Sequence, residues 1–157
     1  MDALCLQQVL SKPINEVWDL ISSDEGMKQF FAPHVAIDLS VDGLLDVWFF
    51  PENPVGLKGA ESMRVLAFEA PRRLLFTWNQ PPFLSTIKNQ RTVVEFSLLD
   101  HGETTTIQLT HSGWGKGGEW SQAKAYFSEA WLVVLDRLAK VCQGQKVDWI
   151  LLLQGKN

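Results

Sequence analysis

The residues best suited to chemistry lie in one stretch, Thr110 to Trp120, reading THSGWGKGGEW. Gly113, Gly115 and Gly118 are spaced as G-x-G-x-x-G, the pattern that cradles a dinucleotide pyrophosphate when it links a strand to a helix. His111 stands just before it, and a neutral imidazole there could act as general base or hydrogen-bond a ligand carbonyl or hydroxyl. The phosphate reading needs a parallel strand–helix–strand unit with an acidic residue at the end of the next strand. Here the glycines follow the last strand of an antiparallel run. Asp136, at about the right distance, lies inside a long helix, and no second strand–helix unit follows. The glycines read better as a turn out of a sheet into a helix and as a loosely packed gate.

Other chemistries find less support. His34, His101 and His111 are scattered, with no cysteine or carboxylate at metal-ligand spacing, so neither a metal nor a cofactor is expected. Ser112 adjoins His111, but neighbours on a strand point to opposite faces and make no dyad. Cys5 and Cys142 sit in apolar contexts that favour inert thiols, at home in a reducing cytosol. Arg64 needs an acidic partner if it faces inward and is merely solvated if Met63, Val65 and Ala67 face inward instead. Tyr126, the only tyrosine, lies just off the apolar stripe of the long helix.

Those residues must be positioned by a small set of elements. The 157 residues suit one domain with a core of its own. Leu4 to Leu10 reads as a strand, and Pro13 then opens a helix through Ile14, Val17, Trp18 and Ile21. A second short helix presents Met27, Phe30 and Phe31 and stops at Pro33. Alternation follows over Val35 to Val41, with Asp42-Gly43 as a tight turn. Strands are expected at 44–50, 62–69, 74–78, 91–99 and 104–111. The spacing of Trp120, Ala123, Phe127, Trp131, Val134, Leu138 and Val141 predicts a long helix over about 118–142, ended by Gly144. The fold class is α+β: a curved antiparallel sheet of about six to seven strands wrapped around a long C-terminal helix, with two short helices after the first strand.

Seven Trp and nine Phe supply large, stiff apolar surfaces. Alternation groups Leu74, Phe76 and Trp78, then Val94, Phe96 and Leu98, then Ile107, Leu109 and His111, on one face. With Trp120, Phe127 and Trp131 they line the space between sheet and helix, which is either an open cavity or a filled core. A net charge of −4 without any basic cluster argues against nucleic acid and against an anionic membrane surface. The N-terminus lacks a signal-peptide pattern, and the longest apolar run, Trp149 to Leu153, is too short to span a bilayer. That run could pack back as a strand or cover a partner, since its apolar density disfavours full exposure.

Taken in order, Val17-Trp18 after the Pro-led helix start, Pro71-Arg72-Arg73-Leu74-Leu75-Phe76-Thr77-Trp78, Leu109-Thr110-His111-Ser112-Gly113 and the helix with Trp131 and Leu135-Asp136-Arg137-Leu138 resemble the START-like (SRPBCC) superfamily. The similarity is greatest to the branch named after the C-terminal domain of the activator of heat-shock protein 90 ATPase, over about residues 3–142. The resemblance implies one helix-grip domain over residues 1–157, with 144–157 outside the usual core. It also implies a cavity for a small, largely apolar molecule, lined by Trp78, Phe76, Phe96, Leu109, His111, Trp114, Trp120, Phe127 and Trp131 and gated by the loops at 51–59, 80–90 and 112–118. Two other functions stay open: a cyclase- or hydrolase-like enzyme using His111, and a chaperone-accessory or other interaction protein, with a second copy or a chaperone as partner.

Overall fold

The computed structural model describes residues 1–154; residues 155–157 of the expected tail lie outside the described residues. The chain runs β1 (Leu4–Leu10), α1 (Ile14–Ile21), α2 (Asp24–Phe30), β2 (His34–Ile37), β3 (Leu44–Trp48), β4 (Gly59–Glu69), β5 (Arg73–Trp78), β6 (Thr92–Asp100), β7 (Thr105–Ser112), α3 (Glu119–Cys142) and α4 (Trp149–Gln154). The seven strands form one antiparallel sheet in the order β1-β7-β6-β5-β4-β3-β2. This is the expected helix grip, with α3 held against the concave face.

Alternation decides which side chains face α3. Leu74, Phe76 and Trp78 of β5, Val94, Phe96 and Leu98 of β6, and Ile107, Leu109 and His111 of β7 are all buried. They meet Ala123, Phe127, Trp131, Val134, Leu135 and Leu138 of α3. The stripe that makes α3 a helix is therefore the stripe it buries.

The curl that lets the sheet grip a helix comes from β4. Its register slips against β3 between Leu45 and Val47, and against β5 between Val65 and Ala67. Extra residues on one strand bend it and raise its twist. At the first slip Ser62 takes a left-handed backbone (φ 62°), and the Asp46 carboxylate accepts its N–H at 2.7 Å.

Three expectations change. The strand expected over 35–41 ends at Ile37: Asp42 turns left-handed (φ 66°) and its N–H bonds Val65 O, which draws the turn onto β4 and leaves Val41 exposed. The apolar tail forms the short helix α4, not a strand. Trp149 anchors it, donating from Nε1 to Lys28 O at 2.8 Å and stacking on the Arg137 guanidinium at 5.0 Å. Ile150, Leu151 and Leu152 face solvent and do not pack back on the domain. Cys5, taken as apolar and inert, is exposed on β1, whereas Cys142 is buried and its thiol pKa is raised by desolvation.

Candidate functional site: the cleft between sheet and helix

The centre of the cleft is a cluster of rings. Trp78 of β5 lies 5.2 Å from Trp131 of α3 and 5.7 Å from Phe76, while Phe76 meets Phe96 edge-on at 5.3 Å. Phe31, just past α2, inserts among them at 5.6 Å from Trp78, 5.8 Å from Trp131 and 6.3 Å from Phe96. These are contact separations for aromatic pairs. All five rings are at most 3% exposed. The open cavity expected from the sequence is therefore closed in this conformation, with Phe31 as the residue that fills it. Two surface concavities lie elsewhere: one between Met1, Leu4 and the 121–128 segment of α3, the other between α1, α2 and Val141.

At one end of the cleft the lining turns polar. His111 is fully buried. Trp131 Nε1–H donates to His111 Nδ1 at 2.9 Å, so Nδ1 carries no proton. The proton then sits on Nε2, which donates to Thr92 Oγ1 at 2.7 Å. Thr92 in turn donates to Trp78 O at 3.3 Å and accepts from Gln80 Nε2 at 3.1 Å. Burial lowers the His111 pKa from 6.5 to about 3. A general base at neutral pH works best with a pKa near the working pH. His111 has both nitrogens committed and a basicity far below that, so its arrangement is that of a neutral, positioned ring.

Over this polar end lies Trp114. Its ring sits 4.1 Å from that of His111 and 6.1 Å from Phe127, and its Nε1–H donates to His111 O at 2.9 Å. The glycine-rich segment shapes the approach. Gly113 and Gly118 adopt left-handed φ of 86° and 51°. At Gly115 an added Cβ would fall 2.1 Å from Trp120 Nε1, so the absent side chain is what lets that indole lie against the backbone. The G-x-G-x-x-G spacing is thus explained by a turn and a close approach, without a phosphate. The 79–91 loop closes the same end. Leu84 and Ile87 are buried, and the Glu119 carboxylate at the start of α3 accepts from both the backbone N–H (2.8 Å) and the hydroxyl of Thr86. Those bonds hold the Glu119 pKa below its ordinary value.

Of the nine lining residues expected, Trp78, Phe76, Phe96, Leu109, Trp114, Phe127 and Trp131 are buried in one hydrophobic cluster, and His111 is buried against the rings of Trp114, Phe127 and Trp131. Trp120 is only partly buried and packs at Gly115, toward the rim. Arg64 faces outward, its Nη1 donating to Asp42 O at 3.2 Å, with Met63 and Val65 buried on the other face. Tyr126 is exposed, edge-on to Phe83 at 5.8 Å. Sequence reasoning missed Phe31, Gln80 and Thr92. The last two were within reach: Gln80 continues the Leu74-Phe76-Trp78 alternation by one step, and Thr92 precedes Val94 and Phe96 in the same way. Among the described residues no group of three or more His, Cys, Asp or Glu could hold a metal ion, and no helix is long and apolar enough to cross a membrane.

A model of the Activator of Hsp90 ATPase homolog 1-like protein family matches residues 11–143. The chain belongs to that family. Solved structures agree on the fold. DynU16, a protein in the dynemicin biosynthetic locus, is 24% identical with a TM-score of 0.71; the match covers 93% of this chain but only 49% of DynU16. Protein MLL2253 from Mesorhizobium loti is 17% identical with a TM-score of 0.72, covering 93% and 100% of the two chains. The Aha1 dimer from Colwellia psychrerythraea is 17% identical with a TM-score of 0.68, covering 90% and 96%. No curated protein matches the sequence. At these identities the likeness shows a shared fold, and the chemistry of each protein remains its own.

Proposed function

We propose that this protein is a single helix-grip domain that binds a small, largely apolar molecule between the sheet and α3. The lining is formed by Trp78, Phe76, Phe96, Leu109, His111, Trp114, Phe127 and Trp131, with Trp120 at the rim. The observation that carries this reading is the end of the cleft at His111. A polar strip there is buried under one indole, that of Trp114, which rides on a segment containing four glycines. An added Cβ would meet nothing within 4 Å at Gly117 or Gly118. Swinging Trp114 outward would free a space of about one indole beside His111 and Phe127. Apolar lining with a few convergent polar groups is the usual character of a small-molecule site. The two unpaired cysteines suit a reducing, cytosolic setting.

A titration with 1-naphthol, a flat bicycle of about indole size, tests this by NMR. Binding in the cleft shifts the indole N–H signals of Trp114 and Trp131 together. Shifts confined to Ile150–Leu152, or none at all, would overturn the reading. A second reading, an interaction protein of the chaperone-accessory kind, draws on Ile150 and Leu151 of α4, which are 70% and 64% exposed. Binding of a partner protein that is lost on truncation before Trp149, with no small-molecule binding, would favour it. The His111 geometry gives an enzyme reading no general base.

A further inference from the structure

Gln80 is 2% exposed, and its Oε1 has no hydrogen-bond partner among the described residues. A buried acceptor left unpaired is costly, and native structures rarely keep one without a use. The network around it assigns the atoms. Thr92 has one hydroxyl proton, directed to Trp78 O, so its oxygen accepts both from His111 Nε2–H and from the Gln80 amide N–H. Nε2 of Gln80 therefore faces Thr92, and Oε1 is the free atom. The acceptor lies at the same end of the cleft as Trp114: His111 bonds Thr92 and packs its ring at a tilt against Trp114, and the Gly113 Cα lies against Thr92, where an added Cβ would come 3.6 Å from Thr92 Cα.

We infer that Gln80 Oε1 selects the ligand: the molecule taken into the cleft is flat, apolar and carries one hydrogen-bond donor, a hydroxyl or an N–H, at the end that reaches Gln80. This rests on the ligand-binding reading above. His111 cannot play the part, because both its nitrogens are already bonded. Thr92 holds the amide in place and acts as a positioning residue.

The test compares two probes with the same ring system that differ by one methyl group, 1-naphthol, which donates, and 1-methoxynaphthalene, which does not. Affinities are measured by calorimetry on the full chain, wild type and Gln80→Met. Pairing a buried acceptor in one complex but not the other corresponds to about a tenfold preference. Wild-type protein should therefore bind 1-naphthol about tenfold more tightly than its methyl ether, and Gln80→Met should bring the two to within about twofold. The wild-type comparison stands even if the variant folds poorly. Equal wild-type affinities for the two probes, or a preference that survives in Gln80→Met, overturn the inference and leave the ligand site standing. No binding of either probe overturns the ligand site as well.

Discussion

The buried imidazole makes a quantitative prediction about stability and pH. His111 has a folded pKa of about 3 and an ordinary value of 6.5. The unfolded chain therefore takes up a proton below pH 6.5 that the folded chain refuses until about pH 3. More protons on the unfolded state means that stability falls as pH falls, so the contribution is complete above pH 6.5 and drains between 6.5 and 3. Between pH 7 and pH 5 one such group removes about 2 kcal/mol, from a shift worth about 1.36 kcal/mol per pH unit once the unfolded imidazole is mostly charged. That is a sizeable share of the roughly 5–15 kcal/mol that keeps a domain folded. The window is informative because carboxylates titrate mainly below it. The assay is urea denaturation at pH 7 and pH 5 on wild type and on His111→Gln. The glutamine can accept from Trp131 and donate to Thr92 but does not titrate. Wild type should lose about 2 kcal/mol over that interval, and the variant close to none beyond what both share. Equal losses in the two proteins, or an imidazole signal showing His111 protonated at pH 5 in the folded state, would refute the reasoning.

Three further outcomes follow from the same geometry. Trp131→Phe keeps an aromatic ring but loses the rest of the buried indole and the donor to His111 Nδ1, and should cost at least about 1–3 kcal/mol in urea melts while the imidazole loses its single tautomer in NMR spectra. Gly115→Ala drives a Cβ into the Trp120 indole and should cost about 1–3 kcal/mol, with a shift in tryptophan emission as that ring moves. Glu119→Ala frees the Thr86 N–H and hydroxyl, and should speed amide exchange across the 82–90 loop while leaving α3 protected; unchanged exchange there would show that Leu84 and Ile87 hold the loop unaided.

Alternation was the most informative signal in the sequence. It placed Phe76, Phe96, Leu109 and His111 on one face because a pleated strand leaves each side chain only two directions. Periodicity did the same for Phe127 and Trp131 on α3. The sequence could not show whether the rings leave a gap, since that depends on how Phe31 enters from a different element, and no local pattern encodes packing between distant elements. The bends of β4 were hidden too: Ser62 is an ordinary residue in an unusual conformation, stabilised by Asp46 sixteen residues earlier. The tail misled because a short unbroken apolar run carries neither period, so a strand and a helix read alike. Gln80 and Thr92 were legible and overlooked: Gln80 lies one alternation step past the end of β5, and Thr92 opens β6 on the face that Val94 and Phe96 share.

Mass spectrometry of freshly purified protein, native against denatured, is the most direct test of the cleft as a ligand site. The expected result is a native mass above that of the chain by a few hundred daltons, lost on denaturation, with the released compound carrying rings or chains and one hydroxyl or N–H group. A native mass equal to that of the chain, unchanged after incubation with 1-naphthol, would mean that the rings between the sheet and α3 are simply its core.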